Sequence, residues 1–241
     1  MLKIGHRGAK AYAVENTLAS FRKALTFDVD MVEFDIRITK DKYPVVVHDN
    51  QLRRLTKKSA RVNKLTLEEL KKLRVKTTKT IPTLGEVLEV IGNRVGINIE
   101  LKVQNSAQIV VQTLRDYKID LSNVMISSNH PGEIKMIENL EPDITTALIF
   151  RATNAFNFWF ILDFLAILFL PVTKYYISWL VKNARADYLS INHHFLDKNK
   201  VALFKKQGIK ICAWTVNSQK KIDYLKKLGI EGIITNYPDR L

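Results

Sequence analysis

Short runs of apolar residues, rich in Val and Ile, alternate along the chain with amphipathic stretches whose apolar positions recur every three or four residues. Such runs, bounded by polar turns, are typical of buried strands, and the longer periodic stretches are typical of helices that cover a sheet. The pattern predicts strands at residues 3–5, 31–36, 97–101, 124–127, 146–150, 188–191, 209–216 and 233–235. Eight strands that are mostly separated by helices predict an α/β fold, the (β/α)8 TIM barrel.

The predicted helices fall between these strands or just outside them. They are expected at about 17–26, 67–73, 107–117, 132–139, in a segment that ends near 207, and at 222–228. Asn16 is expected to cap the first helix, because an Asn side chain accepts hydrogen bonds from the free N–H groups at a helix start.

The run Pro44–His48 is apolar but is not expected to be a barrel strand. Only a short polar stretch separates it from the second strand, whereas a parallel crossover needs about a dozen residues and a hairpin needs very few. The run is therefore predicted to return antiparallel beside the end of the second strand. A turn centred on Asp41 and Lys42 would place His48 opposite Asp35, at the mouth of the barrel.

Two segments interrupt the pattern and are expected to be insertions within one barrel domain that covers residues 1–241. Residues 51–81 are polar and rich in Lys, and they are predicted to form a small cap after the second strand. Residues 151–185 contain a hydrophobic stretch after the sixth strand. Because the loops after strands gather at the C-terminal end of a barrel, both insertions should lie on the same face.

Polar side chains stand where the predicted strands end, which is where barrel enzymes keep their reactive groups. They follow the first three barrel strands and the hairpin return, and they are His6, Arg7, Glu33, Asp35, His48, Glu100 and Lys102. Any one of them could equally be part of a satisfied ion pair. The whole set is harder to explain in that way, because buried charges are costly without a partner or a metal.

The residue types suit the cleavage of a phosphate ester. Two histidines can serve as general acid and general base near neutral pH. Three carboxylates can hold a hard divalent cation through oxygen atoms. One Arg and one Lys can neutralise a phosphate group. The sequence therefore predicts a phosphodiester-cleaving site at the mouth of the barrel.

The same residues stand in motifs that resemble those of the glycerophosphodiester phosphodiesterases, barrel enzymes related to phosphatidylinositol phospholipase C. The motifs of that family are H-R-G, E-N-T, E-x-D, H-D, E-x-K and W-T-V-N. Here they read His6-Arg7-Gly8, Glu15-Asn16-Thr17, Glu33-Phe34-Asp35, His48-Asp49, Glu100-Leu101-Lys102 and Trp214-Thr215-Val216-Asn217. Each motif alone is weak, but the ordered set is specific and extends from His6 to about Pro238.

The resemblance implies a reaction and the residues that perform it. The family releases a glycerol 3-phosphate moiety and an alcohol, and one route passes through a cyclic phosphate formed by the glycerol hydroxyl. His6 and His48 resemble the acid–base pair of the family. Trp214 resembles the wall against which the glycerol or alcohol moiety lies.

The resemblance also implies a cofactor and a phosphate site. Glu33, Asp35 and Glu100 are similar to the ligands of a divalent cation, Ca²⁺ or Mg²⁺. Arg7 and Lys102 are similar to the residues that contact the substrate phosphate.

Three positions depart from the family pattern without touching the catalytic set. Val14 stands where the family usually has proline, and Lys42 stands where it usually has the glycine of a turn. Both changes are expected to affect loop geometry. Asn236 replaces an aspartate, which removes a charge near the mouth and is expected to influence the choice of substrate.

The formal net charge of +14 fits an anionic partner, such as a phosphorylated substrate or an acidic membrane surface. No nucleic-acid recognition motif is evident, so nucleic acid is not an expected partner.

The single cysteine, Cys212, excludes an internal disulfide framework and fits a reducing compartment. Gly5 and Gly8 interrupt the first apolar residues, so no signal peptide is expected. These features predict a cytoplasmic protein.

The segment 156–181 favours peripheral contact with an anionic membrane, on its inner face. It is crowded with aromatic residues and flanked by Lys and Arg, a combination that suits the headgroup boundary. A single membrane crossing is excluded because the later strands must rejoin the same barrel. Two interfacial helices bent at Pro171 are expected. Packing on the barrel and a dimer interface remain open alternatives, and the oligomeric state stays open.

Membrane docking would turn the mouth of the barrel towards the bilayer. The substrate would then be a lysophospholipid, cleaved in the manner of a phospholipase D, rather than a soluble glycerophosphodiester. Two other functions stay open. One is a phospholipase that forms cyclic phosphate products. The other is a catalytically inactive barrel that binds lipid, which the complete set of histidines and carboxylates argues against.

Overall fold

The computed structural model of the chain describes residues 1–76, 80–150 and 170–241. Its strands, numbered in chain order, are β1 Leu2–Gly5, β2 Met31–Ile38, β3 Pro44–Val46, β4 Gly96–Leu101, β5 Val124–Ser128, β6 Thr145–Phe150, β7 Tyr188–Asn192, β8 Lys210–Trp214 and β9 Gly232–Thr235. All of them except β3 pair in parallel, in the order β1-β9-β8-β7-β6-β5-β4-β2, and β1 also pairs with β2. This last pairing closes the sheet into the predicted (β/α)8 TIM barrel.

Strand β3 lies antiparallel to β2 outside the barrel, as predicted, but the predicted register is wrong by one residue. Ile36 pairs with Val46, and the N–H of Val47 donates to the carbonyl oxygen of Asp35 at 2.9 Å. Val47 rather than His48 therefore lies opposite Asp35. The turn is one residue longer than expected because Lys42 adopts a left-handed conformation with a φ of 70°. His48 follows directly and still reaches the mouth.

The α-helices of the described residues are α1 Leu18–Ala24, α2 Arg53–Thr56, α3 Leu67–Lys71, α4 Leu84–Ile91, α5 Ala107–Asp116, α6 Pro131–Leu140, α7 Leu170–Ala184, α8 Lys198–Lys206 and α9 Gln219–Lys227. The sequence pattern did not predict α4. Its signal is nevertheless present, since Thr83 and Glu86 form a capping box at its start. None of the helices in the described ranges is long and apolar enough to cross a membrane.

One detail of the predicted helices is wrong. Thr17 rather than Asn16 caps α1, and its hydroxyl accepts a hydrogen bond from the N–H of Ser20 at 3.3 Å. The predicted pair of helices bent at Pro171 depends on residues before Leu170, the first described residue of α7, so the bend stays a prediction. Most of the predicted docking segment, residues 156–169, lies outside the described residues.

The interior of the barrel beneath the mouth is filled and is not a channel. Its central cluster consists of Ile4, Met31, Met125, Ala147, Cys212 and Ile234, all less than a tenth exposed. Two larger apolar clusters fill the space between the outer faces of the strands and the helices. The polar residues at the strand ends therefore lie above a well-packed apolar layer.

The segment between β3 and α4 has a small apolar cluster of its own. Leu52, Leu55, Val62 and Leu70 are buried and pack with Val45 of β3. This cluster fixes the position of α2 beside the barrel mouth, which matters for the site because α2 carries Arg54.

The start of α5 is held by a buried carboxylate from the neighbouring helix. Glu133 of α6 is 4% exposed and accepts hydrogen bonds from the backbone N–H groups of Asn105, Ser106 and Ala107 at 2.6, 3.0 and 2.9 Å. The first N–H groups of a helix otherwise lack partners. Glu133 thus joins two successive β/α units.

We expect Glu133→Ala to lower the free energy of unfolding by about 2–3 kcal/mol, because it leaves buried N–H groups unpaired. Urea denaturation of the purified protein measures the change. Glu141→Ala is the matched control, since Glu141 pairs with Arg115 at the surface and should cost less than about 1 kcal/mol. Equal losses from the two variants would contradict a special role for Glu133.

Candidate active site

A cavity of about 290 Å³ opens where the barrel strands end. Six of the residues predicted from the sequence line it, and these are His6, Arg7, Glu33, His48, Glu100 and Trp214. The other two, Asp35 and Lys102, contact residues of the lining. The fold therefore brings together all eight predicted residues from five different segments of the chain.

The loop after β1 is shaped by left-handed backbone conformations. Arg7 has a φ of 51° and Gly8 a φ of 83°. A Cβ atom on Gly8 would lie 2.5 Å from the Oγ of Ser20, so only glycine fits this position. The turn directs the backbone N–H of Arg7 to the Oε2 atom of Glu33 at 2.8 Å. The loop is thereby tied to the first carboxylate of the site.

Three carboxylates meet at the base of the cavity. Glu33 and Asp35 are two residues apart on β2, and Glu100 is the β-sheet partner of Asp35 on β4. One oxygen from each lies within 4.8 Å of the others, and all three side chains are buried. Burial raises the pKa of Glu33 well above its usual value, and the neighbouring Asp35 and Glu100 raise it further. The cluster thus carries a negative charge that a cation would stabilise, and its oxygen-only ligands fit Ca²⁺ or Mg²⁺.

Asp35 is the most strongly held of the three carboxylates. Lys102 Nζ lies 3.0 Å from its Oδ1 atom, Arg7 Nε lies 3.1 Å from its Oδ2 atom, and the Asn16 amide donates to Oδ2 at 2.8 Å. Burial opposes ionisation of Asp35, but the two cations hold its pKa below the usual value. Lys102 also donates to Glu100 at 2.5 Å. Both cations therefore balance the carboxylates, and Arg7 also lines the cavity.

Each of the two histidines is anchored through its Nδ1 atom. His6 Nδ1 lies 2.6 Å from the Oδ1 atom of Asn236, and His48 Nδ1 lies 2.6 Å from the Oδ1 atom of Asp49. In each ring this leaves Nε2 to exchange protons, and His6 Nε2 is 3.9 Å from Glu33. Burial lowers the pKa of His6 to about 3 and that of His48 to about 4, so both rings are neutral near pH 7.

The structure assigns a contact to Asn236 that the sequence did not predict. The sequence suggested that loss of an aspartate here would influence the choice of substrate. Instead, Asn236 orients a predicted catalytic ring, and its own N–H donates to Asn217 at 3.0 Å. Its effect on substrate choice stays a prediction.

Several residues of the cavity were missed at the sequence level. Asn98, Ser127 and Ser190 are polar lining residues within strands, and Asn192 ends β7. The position of Asn192 at the end of a strand is the same signal that identified the predicted set. The other three lie inside strands, where only the register of the barrel reveals which side chains face the mouth.

The free energy of unfolding should depend on pH below neutral pH because the folded state lowers the pKa values of two buried histidines. Unfolded histidines titrate near pH 6.5, whereas the folded pKa values of His6 and His48 are about 3 and 4. Between pH 6.5 and 4 these two histidines therefore bind more protons in the unfolded chain, and their contribution to the free energy of unfolding falls as the pH falls. Above pH 6.5 both rings are neutral in both states and add no pH dependence.

Urea denaturation at several pH values between 7 and 4 measures this slope in the metal-free protein. We expect His48→Gln to make the slope shallower and His194→Gln, at an exposed histidine, to leave it unchanged. A wild-type slope in the His48→Gln protein would show that His48 has no lowered pKa in the folded state.

Comparison with known proteins gives consistent matches over the whole chain. Residues 6–240 match the glycerophosphoryl diester phosphodiesterase family. The chain is 35% identical over 250 residues to YhdW of Bacillus subtilis (strain 168), covering 99% of this chain and 96% of that protein. It is 29% identical over 268 residues to the lysophospholipase D GDPD1 of Rattus norvegicus, covering 99% and 84%.

The fold also matches a solved structure over nearly its full length. A phosphodiesterase of Oleispira antarctica, in complex with the product sn-glycerol-3-phosphate, superposes with a TM-score of 0.81 at 26% identity. The match covers 98% of this chain and 93% of that one.

Proposed function

Because the chain belongs to the glycerophosphoryl diester phosphodiesterase family, we propose that it cleaves glycerophosphodiesters by general acid–base catalysis with His6 and His48. The products are a glycerol 3-phosphate moiety and an alcohol. The proposal rests chiefly on one feature of the cavity. Two neutral imidazoles, each anchored at Nδ1, border a cluster of three buried carboxylates and two cations.

Glu33, Asp35 and Glu100 are the residues that would hold a divalent cation. One oxygen from each lies within 4.8 Å of the others. The pKa of Glu33 is raised first by burial and then by the neighbouring charges of Asp35 and Glu100. When bound, Ca²⁺ or Mg²⁺ would stabilise negative charge on the phosphoryl oxygens.

The two histidines move the protons of the reaction. A neutral imidazole accepts the proton of the attacking oxygen at Nε2, because its Nδ1 atom is already engaged. The other imidazole gives a proton to the leaving oxygen, and the negative charge of a bound phosphate favours its protonated form. Arg7 borders the cavity and would contact the phosphate. Lys102, which is paired with Asp35 and Glu100, would be the second phosphate contact. Trp214 lines the cavity and would contact the glycerol or alcohol moiety.

The first experiment measures release of choline from sn-glycero-3-phosphocholine and from lysophosphatidylcholine in micelles, with Mg²⁺ or Ca²⁺ present. Release from either substrate that is lost in His6→Ala and His48→Ala supports the proposed reaction. Binding of the lipid without release from either would favour an inactive lipid-binding barrel. A stable cyclic phosphate as the final product would favour a phospholipase that forms cyclic products.

A lysophospholipid substrate is the second part of the proposal, and exposed aromatic residues of α7 favour it. Tyr175, Tyr176 and Trp179 are 57%, 41% and 58% exposed, while Ile177 and Val181 of the same helix are buried. Aromatic side chains with Lys neighbours suit the headgroup region of a bilayer. The related lysophospholipase D of rat points to the same substrate class.

This part of the proposal places the protein in the cytoplasm, in peripheral contact with the inner face of the membrane. The catalytic domain would be the whole chain, 1–241, with the cap at 51–81 and the docking insertion at 151–185 inside it. Flotation with vesicles of anionic phospholipid tests the contact. We expect Trp179→Ser to reduce binding and Tyr224→Ser, on α9, to leave it unchanged. Absence of flotation by the wild type, with full activity on the soluble diester, would contradict docking.

A further inference from the structure

One arginine of the cap joins two parts of the active site. Arg54 of α2 donates through Nε to the Oδ2 atom of Asp49 at 2.6 Å. Its Nη2 and Nη1 atoms donate to the two carboxylate oxygens of Glu15 at 2.7 and 3.2 Å. The planar guanidinium thus serves two carboxylates at once, a geometry that a lysine ammonium does not reproduce.

The first of these contacts leads directly to His48. Asp49 Oδ2 accepts from Arg54, and the other oxygen, Oδ1, lies 2.6 Å from His48 Nδ1. With both oxygens engaged, the carboxylate plane cannot rotate without breaking one of the two bonds. Arg54 therefore fixes the acceptor that sets the orientation of the His48 ring.

The second contact leads to the loop after β1. Glu15 is a buried residue whose Oε1 atom also accepts from Arg7 Nη1 at 2.7 Å, and Lys10 lies 3.0 Å from its Oε2 atom. Arg7 in turn lies 3.1 Å from Asp35. Through Glu15, Arg54 is thus connected to the guanidinium that borders the carboxylate cluster.

The backbone at His48 has a separate support. The carbonyl oxygen of His48 accepts from Arg37 Nε at 2.7 Å, and the preceding residue, Val47, donates to the carbonyl of Asp35. Removal of the Arg54 side chain would therefore release the ring of His48 and leave the hairpin in place. The Arg54 side chain is itself half exposed, so its loss creates no cavity in the core.

We propose that Arg54 is a positioning residue of the active site, which holds Asp49 and hence the His48 ring in register with the Arg7 loop. This inference rests on the proposed role of His48 in catalysis. The cap then contributes to the active site, because the residue that aligns the His48 ring lies on α2 and not in the barrel.

The test is steady-state kinetics on sn-glycero-3-phosphocholine with saturating metal. A ring displaced by about 1 Å costs up to about 100-fold in rate, so Arg54→Met should lower kcat about 10- to 100-fold and change KM by less than threefold. Arg53→Met is the matched control, because Arg53 is the exposed neighbour on the same helix, and its kcat should stay within about twofold of the wild type.

Two further variants separate positioning from damage to the fold. Arg54→Ala should regain activity when guanidinium chloride is added well below the concentration that unfolds the protein, because the free cation can occupy the same place. In an Asp49→Asn background, Arg54→Met should cost less than threefold, because the link to His48 is already broken.

The outcomes distinguish this inference from the proposed function. Equal kcat in Arg54→Met and Arg53→Met, with His48→Ala inactive, would overturn the positioning role and leave the function intact. A loss in Arg54→Met that guanidinium does not restore and that adds fully to Asp49→Asn would also overturn it. Full activity of His48→Ala would instead overturn the proposed function itself.

Discussion

Replacement of His48 by glutamine should lower kcat on sn-glycero-3-phosphocholine by about 10²- to 10⁴-fold, the usual contribution of a general acid or base. Glutamine keeps a polar side chain of similar reach next to Asp49 but has no group that exchanges a proton near pH 7. His6→Gln should have an effect of the same size, because the two rings perform the two proton transfers of one reaction. The double variant should lose little more than either single one.

Initial-rate measurements of choline release determine these values. His194→Gln is the control, since His194 is exposed, and it should keep wild-type kinetics. Thermal unfolding of each variant shows that the fold is preserved. Activity within threefold of the wild type in folded His48→Gln protein would remove His48 from the mechanism.

Removal of divalent cations should abolish activity, and their return should restore activity and raise the melting temperature. Glu33, Asp35 and Glu100 concentrate negative charge in a buried space, so a cation that binds only the folded state stabilises it. At about 100 times the dissociation constant the gain is about 2.7 kcal/mol. For a chain of this size that corresponds to a rise of about 5–10 °C.

Glu33→Gln provides the sharper test of this site because two effects of opposite sign are expected. Without metal, the variant should be at least as stable as the wild type, since one buried carboxylate of raised pKa has been neutralised. With metal, it should lose most of the increase in melting temperature and most of the activity. Glu89→Gln, at an exposed position on α4, should behave as the wild type in both conditions.

Melting curves recorded with and without Mg²⁺ and Ca²⁺, after treatment with a chelator, measure both effects. Full activity after chelation, together with an unchanged melting temperature on addition of either cation, would refute a metal site at these three carboxylates. A larger rise with one cation than with the other identifies the preferred metal.

The barrel could be predicted because its strands are short, apolar and regularly separated by helices. The exclusion of Pro44–Val46 from the barrel also followed from the length of the preceding turn. The register of that hairpin could not be predicted, because it depends on the left-handed conformation of Lys42. Glycine would have indicated such a conformation, but the sequence has lysine there. The exchange of roles between Asn16 and Thr17 could not be predicted either, because both residues are good caps and the tertiary contact of Asn16 with Asp35 decides between them.

Most of the candidate site could be predicted because barrel topology sends polar residues at strand ends to one mouth. The positions of Glu33 and Glu100 could be predicted without any knowledge of side-chain contacts. The hydrogen bonds that support the site residues could not be predicted in this way. The bonds from Arg54 to Glu15 and Asp49 join residues up to 39 positions apart, and nothing in the local pattern at Arg54 distinguishes it from Arg53. Such pairs depend on the packing of the cap against the barrel, which only the three-dimensional structure reveals.

The central claim is that this site hydrolyses glycerophosphodiesters with the help of a divalent cation and two histidines. Phosphorus NMR of sn-glycero-3-phosphocholine during incubation with the protein tests it most directly, because the diester, the cyclic phosphate, phosphocholine and glycerol 3-phosphate give separate signals. The account predicts that glycerol 3-phosphate replaces the diester when metal is present, and that no product forms without metal or in His48→Gln protein. Formation of phosphocholine, or an unchanged diester signal with the metal-loaded wild type, would contradict it.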